Sequence, residues 1–282
     1  MANVTAPPGS GWADRSSASA RDMNAVWWLC RWHATLDHMR PLERNDPRQY
    51  DDLALEWWRP GGGFEILHWL AEARGALVPP ASRPGAVLVD AGCGGGLLAP
   101  HVRRLGYLHV GVDLRRAGLE QSVGRGVTPV AGDVTALPLS TGCADVVVAG
   151  EILEHVGDLS GAVAELCRVL RPGGLLVLDT VNDTALGRFI TVTAGERLGI
   201  APVGLHDPEL FVDPVELTAE FARHGVKLRV RGIRPTVTGL LRWLVLPGEA
   251  TAARPLGRVV PTRSKAVLYQ GMGRKREAAD VG

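Results

Sequence analysis

The residues best suited to chemistry lie in the stretch Asp90-Ala91-Gly92-Cys93-Gly94-Gly95-Gly96. An apolar run, Val87-Leu88-Val89, ends in an acid and then in a loop with glycine at four of five positions. This order reads as a buried parallel strand, a tight turn, and a helix opening at Leu97. Glycines at such a turn supply unusual backbone angles and let a ligand approach the main chain. The helix start adds unpaired N–H groups and the positive end of a dipole. A dinucleotide fingerprint needs glycine at its first, third and sixth positions, and counting from Gly92 the sixth is Leu97. There is no Gly-Lys-Ser/Thr, so a P-loop fails too. What stands here is Asp90-x-Gly92-x-Gly94-x-Gly96.

Two further acids fall at strand ends. Asp113 follows His109-Val110-Gly111-Val112, and Asp133 follows Val127-Thr128-Pro129-Val130-Ala131. Asp113 comes about 20 residues after the glycine turn, the spacing at which an acid meets ribose hydroxyls. Asp133 can accept a hydrogen bond from an adenine amino group. A lone acid after a strand is usually a cap or turn residue. Asp90, Gly92, Asp113, Asp133 and Gly150 at successive strand ends together point to a nucleoside-containing cofactor.

Gly150-Glu151-Ile152-Leu153-Glu154-His155 is the remaining chemical cluster. If helical, Glu151, Glu154 and His155 share one face. Two carboxylates and an imidazole can hold a hard cation such as Mg²⁺. Alternatively, His155 is a general base, its ordinary pKa lying near neutrality. The bland alternative is a capped, solvated turn beside the cofactor.

The elements that must position these residues alternate. Strands are expected at Val87–Asp90, 109–112, 127–131, 145–149 and 175–178, with helices between them and over 159–170. The strand at 127–131 holds Pro129, which suits only an edge. Residues 184–212 break the rhythm as an insertion. Helix over 214–224 and strands near 226–230 and 266–269 follow. The fold expected is α/β, a doubly wound, mostly parallel seven-stranded sheet, with a helical N-terminal extension. Upstream, helices are expected over 22–39, rich in Trp27, Trp28 and Trp32, and over 48–58 and 64–76, with Glu43–Pro47 a linker. The domain reading is an extension over 1–47, its first 20 residues disordered, one catalytic domain over 48–275, and a frayed tail over 276–282.

Composition narrows the classes. The 282 residues are 46% hydrophobic, and 31 basic against 30 acidic residues leave a net charge of +1, which gives no footprint for nucleic acid. Only Lys227, Lys265 and Lys275 are lysines. Cys30, Cys93, Cys143 and Cys167 form no Cys-x-x-Cys pair and suit free thiols in a cytoplasmic protein. No secretory leader stands out, and no run approaches a membrane span.

The glycine motif resembles the first motif of class I S-adenosylmethionine-dependent methyltransferases. Further residues narrow the likeness: Trp57-Trp58-Arg59-Pro60-Gly61-Gly62-Gly63-Phe64 with Leu67-His68, Glu151-Ile152-Leu153-Glu154-His155-Val156, Pro172-Gly173-Gly174, Thr180-Val181-Asn182, and Gly204-Leu205-His206-Asp207 with Phe211 and Pro214. Over about 49–275 the chain is similar to the O-methyltransferases that act on ubiquinone precursors. The resemblance implies a Rossmann-like fold, S-adenosylmethionine contacts at Arg74, Gly92, Asp113 and Gly150, with Asp90 and Gly94 in the same glycine motif as Gly92, and a divalent-metal role for Glu151, Glu154 and His155. Arg74 would meet the carboxylate of the methionine moiety. The reaction expected is methyl transfer to a phenolic or quinol-type oxygen. Residues 184–212 and the paired tryptophans would then shape an apolar pocket, and a prenylated substrate would bring the protein to a membrane surface. The alternatives are carbon or nitrogen methylation of a secondary metabolite, and a partner protein that binds the cofactor without transferring a methyl group.

Overall fold

The structure, a computed structural model, describes residues 42–198, 201–246 and 256–277. The Trp-rich helix expected over 22–39, the first 20 residues, Cys30 and the end of the tail lie outside them.

Eight strands form one sheet: β1 (Val87–Ala91), β2 (Leu108–Asp113), β3 (Thr128–Ala131), β4 (Ala144–Gly150), β5 (Leu170–Val181), β6 (Arg229–Pro235), β7 (Val259–Thr262) and β8 (Leu268–Arg274). Their order is β3-β2-β1-β4-β5-β8-β6-β7. The first five run parallel, and β8, β6 and β7 add antiparallel pairs. Order reverses between β1 and β4, and a doubly wound sheet opens its binding crevice at that switch. Helices are α1 (Gln49–Asp52), α2 (Glu65–Gly75), α3 (Ala99–Val102), α4 (Arg116–Val123), α5 (Leu159–Val169), α6 (Ala185–Arg188), α7 (Gly195–Arg197), α8 (Pro214–Arg223) and α9 (Val237–Val245).

The central strands are apolar on both faces because both are covered. Val89, Ala91, Val147, Ala149, Leu176 and Leu178 enter one core with Leu166 and Phe221, while Leu88, Val146, Val148 and Val177 enter the other with Leu98 and Val102. The alternation follows the two-residue period of a strand. Asp158 caps α5 by accepting from Gly161 N, and Asp213 caps α8 by accepting from Val215 N and Glu216 N.

The sheet has one strand more than expected. β7, Val259-Val260-Pro261-Thr262, sits at the outer edge, where Pro261 costs no ladder bond. The strand expected at 226–230 begins instead at Arg229: Val226 and Leu228 are buried as a connection, and β6 carries Arg229, Arg231 and Arg234. The helix expected over 48–58 is a single turn, α1, followed by a 3-10 turn over Ala54–Glu56. Leu97 does not open a helix directly, since α3 starts at Ala99. Among the described residues no helix is long and apolar enough to cross a membrane.

Candidate active site

A cavity of about 500 Å³ opens at the carboxyl ends of the parallel strands. Arg74, Asp90, Gly92, Gly94, Asp113, Asp133, Gly150, Glu151 and His155, all singled out in the sequence, line it; Glu154 does not.

The glycine turn is shaped for a close neighbour. Gly92 has φ +73° and Gly94 φ +48°, backbone that favours glycine. A Cβ on Gly92 would lie 2.7–2.9 Å from Ile152, and one on Gly94 would enter the Trp57 ring. Trp58 pins the same loop from outside: its indole N–H donates to Gly95 O at 2.9 Å, and the Arg125 guanidinium stacks on its ring. Of the paired tryptophans only Trp57 borders the cavity.

Asp113 ties β2 to that loop. Its Oδ2 accepts from Gly94 N and its Oδ1 from Arg115 N, both at 2.8 Å. Burial raises its pKa. Each carboxylate oxygen keeps a lone pair for a ribose hydroxyl. Arg115 in turn pairs with Asp51 of α1, fastening the segment before the sheet to the end of β2. Asp133 is exposed, and its Oδ1 accepts from Thr135 N and Thr135 Oγ1, which leaves Oδ2 for a ligand. Asp90 is buried, with Oδ2 3.4 Å from His109 Nε2.

Arg74, in the last turn of α2, forms a buried ion pair with Asp179 of β5. Its guanidinium lies over Gly150, where any Cβ would overlap it. Arg74 Nε and Trp57 Nε1 are buried donors with no partner among the described residues. Buried polar groups without partners are rare, and these two, on residues that line the cavity, are open to a water or a ligand there. S-adenosylmethionine fits this donor set: a carboxylate for Arg74, ribose hydroxyls for Asp113, an adenine amino group for Asp133, and a glycine turn without side chains between them.

The Glu-x-x-Glu-His run departs from expectation. It is no α-helix: Glu151 sits at φ +52° in a bend, and Leu153–His155 form a 3-10 turn. The shared helical face is therefore lost: Glu151 and Glu154 stay together beside Asp179, and His155 turns away from them to Asn45 and Tyr50. Glu151 turns toward the Arg74–Asp179 pair; burial, then the Glu154 and Asp179 charges, raise its pKa. Glu154 is fully buried, accepts from Thr180 Oγ1 at 2.7 Å, and is pushed by burial up to about 7. Both His155 ring nitrogens are engaged elsewhere, by Asn45 and Tyr50. Among the described residues no three His, Cys, Asp or Glu side chains are placed to hold a metal ion. The expected metal role of Glu151, Glu154 and His155 does not fit this arrangement.

His155 lies in the cavity wall. Its Nδ1 is 2.6 Å from Asn45 Oδ1 and its Nε2 3.2 Å from the Tyr50 hydroxyl. The His206 ring stacks on it with centroids 5.2 Å apart. Burial, with the His206 charge second, lowers the His155 pKa to about 3; burial lowers His206 to about 4. Both rings are neutral near pH 7. Asn45 falls in the stretch that reads as a linker, and Tyr50 in the helix expected over 48–58, where nothing local marks it as a partner of His155. The one signal was Asn45 itself, a residue that tolerates the left-handed backbone it adopts at φ +59°.

The comparisons agree with this geometry. A family model described as a methyltransferase domain matches residues 89–178. A ubiquinone biosynthesis O-methyltransferase of Cupriavidus pinatubonensis is 36% identical over 192 residues, 64% of this chain and 77% of that protein. One from Paraburkholderia xenovorans is 34% identical over 209 residues, 71% of this chain and 89% of that protein. Among solved structures, a possible histamine N-methyltransferase from Thermotoga maritima superposes with a TM-score of 0.54 at 17% identity, covering 81% of this chain and 95% of its own, a likeness of fold.

Proposed function

The chain belongs to the ubiquinone biosynthesis O-methyltransferase family and is an S-adenosylmethionine-dependent methyltransferase, and from that premise we propose that its acceptor is a phenolic or quinol-type hydroxyl. The observation that carries this reading is His155: a neutral imidazole in the wall of the cavity that the glycine turn, Asp113 and Gly150 also line.

Bound there, S-adenosylmethionine supplies a methyl group already activated by its sulfonium. The chain's own residues bind and align. Asp113 takes the ribose hydroxyls, Asp133 the adenine amino group, Arg74 the carboxylate, and Trp57 and Ile152 close the walls around the glycine turn. Alignment of two reactants supplies roughly 7–11 kcal/mol of barrier lowering. A phenol has a pKa of about 10, so its oxygen reacts faster as its proton leaves. His155 accepts that proton. The burial that keeps it unprotonated also makes it a weak base. A weak base suffices, because the hydroxyl proton becomes strongly acidic as its oxygen takes up the methyl group. General-base help of this kind is worth about 10²–10⁴-fold.

The far side of the cavity is apolar, with Ile190, Leu205, Leu240 and Leu268, which supports a substrate with a hydrocarbon tail. Exposed Leu186, Phe189 and Leu198 on the 184–212 segment, and Val237, Leu241 and Val245 along one face of α9, support contact with a membrane surface. The test supplies labelled methyl donor with a panel of catechols and quinols of differing tail length. Label on a hydroxyl oxygen is the expected result. Label on carbon or nitrogen, or none with any member, would overturn the reading.

A further inference from the structure

The Asn45 side chain grips His155 twice. Its Nδ2 donates to the His155 carbonyl at 2.9 Å, and its Oδ1 lies 2.6 Å from Nδ1. The first bond fixes which end of the amide is nitrogen. The atom facing Nδ1 is therefore oxygen, an acceptor only, and Nδ1 must carry the ring proton. A neutral imidazole with its proton on Nδ1 has its lone pair on Nε2. That lone pair receives the Tyr50 hydroxyl at 3.2 Å. The chain Asn45–His155–Tyr50 thus has one direction throughout. A base oriented by a second group on its other nitrogen is a recurring arrangement for taking protons from hydroxyls.

Asn45 is itself held. Its backbone N–H donates to Gly204 O at 2.9 Å, on the loop that presents His206 to the other side of the His155 ring. Tyr50 stacks on Trp57, with ring centroids 5.9 Å apart, and lines the cavity together with His155 and Asn45.

We propose that Asn45 is the positioning residue that fixes the His155 tautomer, and that Tyr50 is a catalytic residue through which the acceptor's proton reaches His155. The proposal rests on the reading of His155 as the base. The acceptor O–H donates to Tyr50 Oη while the Tyr50 proton moves to His155 Nε2. The acceptor oxygen's lone pair forms the new bond to carbon, and the former carbon–sulfur pair leaves with sulfur. At the end of the step Tyr50 is again a phenol and His155 an imidazolium, which solvent discharges. Burial, ahead of the Glu154, Asp113 and Glu151 charges, raises the Tyr50 pKa, so Tyr50 stays a phenol at rest and works as a relay.

The test compares Tyr50→Phe, Asn45→Gly, Asn45→Asp and His155→Gln with the parent. Gly keeps the left-handed backbone at position 45 and removes the clamp; Asp keeps an oxygen facing Nδ1. Calorimetry with S-adenosylhomocysteine checks that each variant is folded. Tyr50→Phe is expected to lower kcat by about 10²-fold with KM changed little. Asn45→Gly is expected to lower kcat by a similar factor, with Asn45→Asp restoring part of it. The second readout is ¹⁵N NMR of histidine-labelled protein, with the His155 signals assigned by their loss in His155→Gln. One protonated and one bare ring nitrogen are expected in the parent and in Asn45→Asp, and averaged signals in Asn45→Gly. Parental kcat in Tyr50→Phe, or an unchanged tautomer in Asn45→Gly, would overturn this proposal while a dead His155→Gln left the base reading standing. An active His155→Gln would overturn the base reading and this proposal with it.

Discussion

Replacing Gly150 with alanine adds a single methyl group, and the structure fixes where it goes. Gly150 ends β4, with Asp179 of β5 as its register partner, so its backbone is held within the sheet. The new Cβ would overlap the Arg74 guanidinium. An arginine head group usually swings aside at little cost. Here the side chain is 8% exposed and paired with an Asp179 that is fully buried. Moving Arg74 therefore breaks the pair and leaves a carboxylate in the core. Breaking a buried pair costs about 3–5 kcal/mol. Burial already raises the Asp179 pKa, so it takes up a proton readily and the cost falls near the lower end. About 3 kcal/mol corresponds to a fall in Tm of roughly 6–12 °C for a domain of this size. Donor affinity falls as well, because a charge-assisted hydrogen bond is worth about 1.5–3 kcal/mol, or roughly 10- to 100-fold in Kd. Urea denaturation and titration calorimetry with S-adenosylhomocysteine measure both. Arg74→Met removes the charge without emptying the space, and the double variant should cost less than the sum of the singles by at least about 1 kcal/mol. A Gly150→Ala protein within about 0.5 kcal/mol of the parent and equal in donor affinity would refute the placement of Arg74.

Other perturbations follow from the same geometry. His155 has a folded pKa of about 3 against an ordinary value near 6.5, so the stability that depends on its neutrality is present above pH 6.5 and lost as pH falls from 6.5 toward 3. His155→Gln should therefore close on the parent by about 2 kcal/mol between pH 7 and pH 5 in paired denaturation curves; a constant gap would contradict a buried, neutral His155. Glu154 has the opposite sign. Raised to about 7, it stabilises fully below its ordinary value near 4.5 and loses that contribution as pH climbs through 7. Glu154→Gln should be most costly near pH 5 and gain on the parent by pH 8, and the reverse trend would show that Glu154 is ionised in the fold. Asp133→Ala should weaken donor binding by less than about tenfold, because the residue is exposed and already caps its own turn. A loss equal to that of Asp113→Ala would contradict that ranking.

Much of this site was legible because strand ends announce themselves. Val87-Leu88-Val89 before the glycines, and apolar runs closing at Asp113 and Gly150, carry their positions in the sheet within a few residues. The run at Glu151–His155 is not legible from its i, i+3, i+4 spacing, because Glu151 takes a left-handed bend and Leu153–His155 a 3-10 turn in place of an α-helix. Asn45 and Tyr50 were illegible for another reason: they meet His155 across more than 100 residues of chain, and no local pattern encodes that contact. Asp179 was hidden inside a run of apolar strand residues. A buried acid of that kind makes sense only once Arg74 is known to lie across the sheet from it.

The account rests on S-adenosylmethionine occupying the crevice between β1 and β4 with its sugar on Asp113. Titration calorimetry of the parent and of Asp113→Ala with S-adenosylmethionine and S-adenosylhomocysteine tests it most directly. Saturable one-site binding by the parent, weakened about 10- to 100-fold in Asp113→Ala, is the predicted result. No heat of association in the parent, or equal affinity in the two proteins, would contradict it.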